Sequence, residues 1–468
     1  MIMTRKTESE PVFVGYLGGW LKPNNQSLAG LMAKGASGTF VLKVVNTGLG
    51  LVMAVFLARA LGVRGYGIYA YAISWITLLG VFARLGLDQT IGRYMATYHQ
   101  EGDWARIHGL LRFSFAAVVG SAMACFLVAS AVAWFAYRDV AEMRNALWLA
   151  FLLLPISALM VPCGATLVGL QKVVSAQIPS LLVQPAGFVL LLGGAWLLFP
   201  GTLSPNRVIA LYLLVTCLSL ALAAWMLRRA MAACGGIPMA VVKPVYEVRA
   251  WLKSALPLMM MGGMFLANSN TDILMLGAMV GPEAAAVYKA ATRGAELILF
   301  ALIVVNTPLA PLVAKLYAAD ARERLERGVT KAARLTFVLG VGVAALLIVF
   351  GRWFLSIFGP AFVGGHIALY LLCMGQLAAL ISGPAGIILT MTGHEREIAI
   401  SAVVTAVLNV VLNALLIPIW GLEGAATATA ISTAVWACLL IGMVWSFLRI
   451  DPTFVGGYWP GSASSKTH

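Results

Sequence analysis

The sequence predicts an all-α polytopic membrane protein of about twelve transmembrane helices, arranged as two six-helix bundles related by a pseudo-twofold axis along the membrane normal. Three observations carry this. The chain is 61% hydrophobic and only 11% charged over 468 residues, with a mean hydropathy of +0.91, which leaves too little polar surface to coat a soluble fold. Its apolar residues gather into twelve segments, at 36–60, 66–83, 110–136, 146–169, 176–199, 207–227, 254–280, 283–306, 333–356, 366–391, 398–418 and 422–448. Most are near the ~20 residues that a bilayer crossing needs. The second half also repeats the plan of the first. Gly62 and Gly281 each close a short turn between the first two spans of a half, and Tyr69 with Tyr288, Ala72 with Ala291 and Leu78 with Leu297 fall at the same offset of 219 positions. In each half that turn is followed by a long basic segment, 84–109 and 315–332. Parallel repeats of this kind are common among transporters, with the substrate site between the halves.

The loops fix the expected orientation. With Lys43, Lys289 and Arg293 set aside as intramembrane, the N-terminal tail, the even-numbered loops and the C-terminus hold 23 of the remaining 29 Lys and Arg. The odd-numbered loops hold 6: Arg59, Arg64, Arg138, Arg144, Arg207 and Arg352. The positive-inside rule then puts both termini in the cytoplasm. The net charge of +14 follows from basic loops lying against an anionic inner leaflet, so no nucleic-acid partner is implied. The expected organisation is a cytoplasmic tail at 1–35, an N-terminal bundle at 36–230, a cytoplasmic linker at 231–252, a C-terminal bundle at 253–448 and a cytoplasmic tail at 449–468. The tail lacks the apolar run and cleavage site of a signal peptide, and its stretch 12–21, flanked by Lys22, reads either as a short interfacial helix or as a mobile tail.

The chemistry-bearing residues are few. Six cysteines lie mostly inside apolar spans without paired spacing, and five histidines are scattered at loops and span edges. Neither pattern makes a metal site or a disulfide framework, and no cofactor or metal is expected. The informative residues are the charges inside the spans, because a charge at membrane depth costs roughly 2.5–3.5 kcal/mol on insertion scales unless it faces a wet cavity or a partner. Lys289, Thr292, Arg293 and Glu296 follow i, i+3, i+4, i+7 spacing and share one helical face. Lys43, Asn46, Thr47 and Gly50 share a face of the first span, and Asn268, Thr271 and Asp272 share one of the seventh. Asp272 lies nine residues before the Gly281 turn and Lys289 eight after it, so the two sit at nearly equal depth. Asp272 is then either half of a buried ion pair with Lys289 or a proton or cation site. Arg293 reaches the depth of Asn268, where it either meets a phosphate or pairs with Glu296 at i+3. Three positive and two negative groups make the interior net cationic.

Three stretches carry a family resemblance. The run Asn409-Val-Val-Leu-Asn413-Ala-Leu-Leu-Ile-Pro418-Ile-Trp-Gly421-Leu-Glu-Gly424-Ala-Ala426 resembles the hairpin between the last two spans of bacterial Wzx-type polysaccharide and O-antigen flippases. So does Leu57-Ala-Arg-Ala-Leu-Gly62-Val-Arg-Gly65-Tyr-Gly67-Ile-Tyr69, continuing to Leu85-Gly86-Leu-Asp88 and Arg93. A third match joins Asp272-Ile-Leu-Met-Leu-Gly277, Tyr288-Lys-Ala-Ala-Thr-Arg293 and Ala310-Pro311-Leu-Val-Ala-Lys-Leu-Tyr317. The physical reading of the Gly421 hairpin is mainly structural: a tight turn with small residues that let helices approach.

The resemblance implies a member of the multidrug/oligosaccharidyl-lipid/polysaccharide superfamily with a MATE-like fold in a bacterial inner membrane. It implies a flippase, working as a monomer by alternating access on an undecaprenyl-pyrophosphate-linked oligosaccharide among membrane lipids, with a polysaccharide polymerase or export complex as a candidate associate. Arg293, Lys289, Lys43, Asn46 and Asn268 are the expected substrate-binding residues, and Asp272 and Glu296 the ion-coupling or ion-pairing ones. The rivals are a multidrug or cation antiporter of the same superfamily, which gives no reason for three buried basic residues, and a lipid II flippase, which the motifs fit less well. A membrane glycosyltransferase or polymerase is expected to place acids or a catalytic Arg in a sizeable outer loop. The odd-numbered loops offer little beyond Asp139, Glu142 and Glu283, so no enzyme is expected.

The orientation is directly measurable. Cysteine tags in loops 137–145 and 357–365 should react with an impermeant reagent on intact cells, and tags in 235–245 and 318–330 only after permeabilisation; reversal of either pair refutes the topology.

Overall fold

A computed structural model describes residues 28–198, 203–234, 243–319 and 321–455. Among them every regular element is helical. In chain order these are α1 (Leu28–Arg84), α2 (Leu87–Glu101), α3 (Trp104–Ala136), α4 (Ala141–Phe151), α5 (Leu153–Gly169), α6 (Val173–Ile178), a π-helical turn (Pro179–Val183), α7 (Gln184–Leu198) and α8 (Pro205–Ala233). The second half continues with α9 (Val248–Met279), α10 (Pro282–Ala318), α11 (Arg322–Phe358), a 3-10 turn (Pro360–Gly365), α12 (His366–Ile381), α13 (Ala385–Met391) and α14 (Glu395–Leu448). The predicted interfacial stretch 12–21 lies outside the described residues, as do 235–242 of the predicted linker and 456–468 of the C-terminal tail.

Two of these helices are hairpins. A straight run of the 57 residues of α1 would be about 86 Å long, roughly twice the ~40–45 Å thickness of a whole bilayer. Gly62 breaks it with φ 68°, ψ −178°, and Gly421 breaks α14 with φ 54°, ψ −120°. Glycine reaches these angles without a Cβ penalty. The legs of α14 meet again below the turn, where Asn409 Nδ2 donates to Ser432 Oγ at 3.2 Å. Eight helical segments among the described residues are long and apolar enough to span a membrane. Counting α1 and α14 twice and adding α9 and α10 gives the twelve predicted passes. These last two carry Asn268, Asp272, Lys289, Arg293 and Glu296. Three spans read as continuous in sequence are broken: at Leu152 between α4 and α5, by the π-helical turn before α7, and at 382–384 between α12 and α13.

The surface is inverted relative to a soluble protein. Leu190 is 74% exposed and Val349 72%, while Asp272, Asn409, Asn413, Thr216 and Ser432 are buried. Such an apolar exterior is stable only against hydrocarbon. Tryptophans band both ends, as interfacial aromatics do. Trp134 stacks on Trp148 at 5.3 Å with Arg144 over it near the hairpin turns, and Arg229 covers Trp225 at the opposite end.

The end bearing the Gly62 and Gly281 turns is closed. Arg59 donates to the Ile357 and Ser356 carbonyls at 2.7 and 2.8 Å, and Arg64 reaches Glu142 at 3.6 Å and Glu283 at 3.3 Å. Arg64 and Glu283 stand 219 positions apart, the same offset as the repeat. Equivalent positions meet only at the axis that relates the halves, so this pair marks the pseudo-twofold. At the opposite end the chain entering α9 docks on the corner between α2 and α3. Val245 donates its backbone N–H to the Ala105 carbonyl at 3.0 Å, Arg106 pairs with Glu247 at 3.1 Å, and Trp251 donates to the Tyr98 hydroxyl, which donates to Glu247. Burial pushes that hydroxyl up to about 12, so it stays protonated and serves both partners. The start of the C-terminal tail straps α11, with Phe454 stacked on Phe337 at 3.9 Å.

The two turns pack so closely that a side chain on Gly67 would run into the Pro282 backbone. Gly67→Ala should therefore lose about 1–3 kcal/mol through overpacking, seen as a lower Tm of the detergent-purified protein. Gly48→Ala, on the same helix with open space around it, should leave the Tm unchanged or slightly raised; equal behaviour of the two variants would mean the turns do not touch.

Candidate functional site

Two adjoining cavities of about 380 and 250 Å³ lie between the halves. The polar face of α10 forms the shared wall, because Arg293 and Glu296 line both. Arg293 lies twelve residues past Gly281, about 18 Å along the helix, close to the middle of a ~30 Å hydrocarbon core. In the larger cavity Arg293 and Glu296 face Asn46 and Thr47 of α1 and Gln184 and Tyr212 of α7 and α8. In the smaller one Lys289 joins them, opposite Tyr66 and Tyr69 on the second leg of α1 and Ser269 and Asn270 on α9. Of the α10 stripe read from the sequence, Lys289, Arg293 and Glu296 line these cavities, while Thr292 lines neither and donates to the Tyr288 carbonyl at 2.9 Å.

Arg293 Nη1 holds Glu296 Oε2 at 2.8 Å, so the i, i+3 pairing is formed. It does not use up the guanidinium. Nε is buried and has no hydrogen-bond partner, and among the described residues no ion pair includes Lys289. Two cations against one carboxylate leave the smaller cavity net positive, while in the larger one Arg293 and Glu296 balance. A guanidinium has five donors in a planar fork, and those left over suit an oxyanion such as phosphate, two of whose oxygens can accept parallel N–H bonds.

Asp272 departs from the sequence-based expectation. Its predicted ion pair with Lys289 is not formed: the carboxylate turns toward α14, away from the cavity. Oδ2 accepts from Tyr288 at 2.7 Å and Thr429 at 2.6 Å, and Oδ1 from Asn413 at 2.6 Å. Asn413 also donates to Asn409 Oδ1 at 3.0 Å, and Asn409 to Ser432. The depth argument placed Asp272 and Lys289 at one level correctly but said nothing about azimuth. On α9, Ser269 and Asn270 take the cavity side and Asp272 the far side. The outcome is a buried carboxylate, 3% exposed, held by neutral donors and, among the described residues, in no ion pair, and Asn413 Oδ1 next to it has no partner among them.

The other predicted residues divide. Asn46 lines the larger cavity. Lys43 is exposed and lines neither cavity, lying one turn from Asn46. Asn268 is half-buried and lines neither, although its Oδ1 has no partner; the neighbours Ser269 and Asn270 occupy the wall instead. Gln184 and Tyr212 were missed: each has a small polar neighbour at i±4, Ser180 and Thr216, but no charge inside the span marks either pair. Asn409 and Asn413 carried a signal, two amides at i, i+4 in an apolar helix, but read as part of a structural hairpin.

A doubled all-helical bundle of twelve passes over a polar cavity has the architecture of a membrane transporter. The chain belongs to the polysaccharide biosynthesis protein family, whose model matches residues 32–317, more than half the sequence; the MatE model matches 257–415. No curated protein sequence matches the chain. Among solved structures it is similar to a multidrug resistance MATE family transporter in an inward-facing conformation, at 15% identity and TM-score 0.68 over 86% of this chain and 94% of that one. It is also similar to the lipid II flippase MurJ in an inward closed conformation, at 15% identity and TM-score 0.63 over 86% of each chain. A third is a transporter from Pyrococcus furiosus described as having a binding pocket of reverse polarity, at 14% identity and TM-score 0.61 over 90% of this chain and 95% of that one. These likenesses show that the chain shares the fold of MATE transporters and of MurJ.

The Asp272 cluster gives a double-mutant test. Asp272→Asn and Lys289→Met share no partner, so their effects on unfolding free energy should add within about 0.5 kcal/mol. Asp272→Asn and Thr429→Val share a hydrogen bond and should show a coupling of about 0.5–3 kcal/mol. Rescue of Asp272→Asn by Lys289→Met in detergent unfolding would restore the ion pair instead.

Proposed function

We propose that the chain is a flippase that carries an undecaprenyl-pyrophosphate-linked oligosaccharide, the repeat unit of an O-antigen, capsule or exopolysaccharide, from the cytoplasmic to the outer face of a bacterial inner membrane. The observation that carries this is the Arg293 guanidinium at mid-membrane depth, with a buried, unpartnered Nε, beside Lys289 in the smaller cavity, where the two cations outnumber Glu296. A pyrophosphate brings about two negative charges past the hydrocarbon, and this site offers what such a group needs. The head group crosses between bundles 36–230 and 253–448 while the polyprenyl tail stays in lipid. The closed hairpin end faces outward and both termini lie in the cytoplasm, consistent with the basic residues of the opposite end. The working unit is a monomer, with a polymerase or export complex as its candidate associate.

Asp272 supplies coupling in this scheme. A buried carboxylate without a cation is costly, and uptake of a proton or a small cation beside the free Asn413 oxygen relieves that cost. Binding there is read by Tyr288 on α10, one residue from Lys289 in the cavity wall. The rival reading as a drug or cation antiporter has less support from the cavity, whose one carboxylate is already matched by Arg293 and outnumbered. A lipid II flippase shares the phosphate chemistry, and the family match favours polysaccharide assembly over it.

Arg293→Ala should lower movement of a fluorescent polyprenyl-pyrophosphate glycan across liposomes by about 10- to 100-fold, the loss of one charge-assisted contact. Arg293→Lys keeps the charge without the fork and should retain partial activity. Wild-type movement by Arg293→Ala at equal protein density would remove the phosphate role and leave the Glu296 pairing as the function of Arg293.

A further inference from the structure

The wall opposite Arg293 carries a separate chemistry. Gln184 and Tyr212 line the larger cavity and are joined to each other: Gln184 Nε2 lies 3.2 Å from the Tyr212 hydroxyl and 2.9 Å from Thr216 Oγ1. The single hydroxyl hydrogen of Thr216 goes to the Tyr212 carbonyl at 2.7 Å, so toward Gln184 it can only accept. This fixes the amide orientation, with both amide hydrogens engaged and the oxygen Oε1 left as an acceptor. The Tyr212 hydroxyl, accepting from Gln184, keeps its own hydrogen to donate. Phe188 holds the Tyr212 ring edge-on at 4.9 Å and is stacked by Tyr69 at 6.5 Å, so the hydroxyl is fixed in place. Gln184 is also the first residue after the π-helical turn, its backbone N–H bonded to the Pro179 carbonyl. Such one-residue expansions recur at functional sites because they rotate the following side chains out of the regular helical register.

We propose that Gln184 and Tyr212 form a subsite for an uncharged sugar, one ring hydroxyl donating to Gln184 Oε1 while its neighbour accepts from the Tyr212 hydroxyl. The inference rests on the flippase reading and deepens it. An acceptor beside a donor, both neutral, matches a vicinal diol, whereas an organic cation would want a carboxylate or an open aromatic face there. Arg293 on the facing wall of the same cavity puts the phosphate at one side and the sugar at the other, so the N-terminal half selects the glycan and the C-terminal half holds the charge.

The test compares two short-chain polyprenyl pyrophosphates, one bare and one bearing a single hexose, by their affinity for the full-length protein purified in detergent. The unmodified protein should bind the hexose form more tightly. Tyr212→Phe, which keeps the ring, and Gln184→Leu should each weaken hexose-form binding by about 5- to 10-fold with affinity for the bare form within twofold. Arg293→Ala should weaken both forms alike. No preference in the unmodified protein, or a preference that survives in both variants, overturns the subsite and leaves the flippase reading standing. An equal loss on both probes does the same, assigning the pair to helix packing. Failure of the unmodified protein to bind either probe overturns the flippase reading and the subsite with it.

Discussion

Everything in this molecule is arranged around the cost of an ionised group in hydrocarbon. Lys289, Arg293 and Glu296 sit on one helix near the middle of the bilayer, and none is tolerable against lipid. Their shelter requires α1, α7, α8 and α9 to surround α10 closely enough to exclude lipid and openly enough to leave a cavity. The Arg293 to Glu296 pair neutralises one charge locally. The remaining positive charge needs an anion, and the phosphate role proposed for the cavity rests on that need.

The same cost is met differently on the other side of α9 and α10. Asp272 is shielded by Tyr288, Asn413 and Thr429, neutral groups that satisfy its oxygens as hydrogen-bond acceptors without cancelling its charge. One site thus lacks an anion and the other lacks a cation, and Tyr288 and Lys289, adjacent in sequence, belong one to each. A change in the charge of Asp272 has a short covalent path to the cavity wall. The coupling proposed between the two rests on this adjacency.

Closure at the hairpin end uses the symmetry of the repeat. Residues at the pseudo-twofold meet their own equivalents, and divergence has turned one such meeting into the Arg64 to Glu283 pair. Exposed ion pairs of this kind are worth little individually, and the Arg59 bonds to the Ile357 and Ser356 carbonyls cap a helix end and do not bury a charge. An assembly held by several weak polar contacts around one tight steric one, Gly67 on Pro282, is suited to opening.

The sequence by itself determined the number of passes, the doubling of the unit and the inward direction of the α10 stripe, because each follows from a local period or from the length of an apolar run. It also determined the depth of each intramembrane charge, since rise per residue from a turn is nearly constant. Azimuth between helices was decided only in three dimensions. Asp272 and Lys289 share a level and do not meet because α14 packs against the far face of α9, a fact carried by residues 140 and more positions away. Lys43 missed the cavity by one turn, and Asn268 yielded its place to Ser269 and Asn270, for the same reason: a helical face is some 100° wide, and which part of it opens on space depends on its neighbours. Gln184 and Tyr212 were not read because an uncharged polar pair at i, i+4, Ser180 with Gln184 or Tyr212 with Thr216, does not tell a cavity wall from a contact between helices. Their meaning came from the side chains that tertiary packing set beside them.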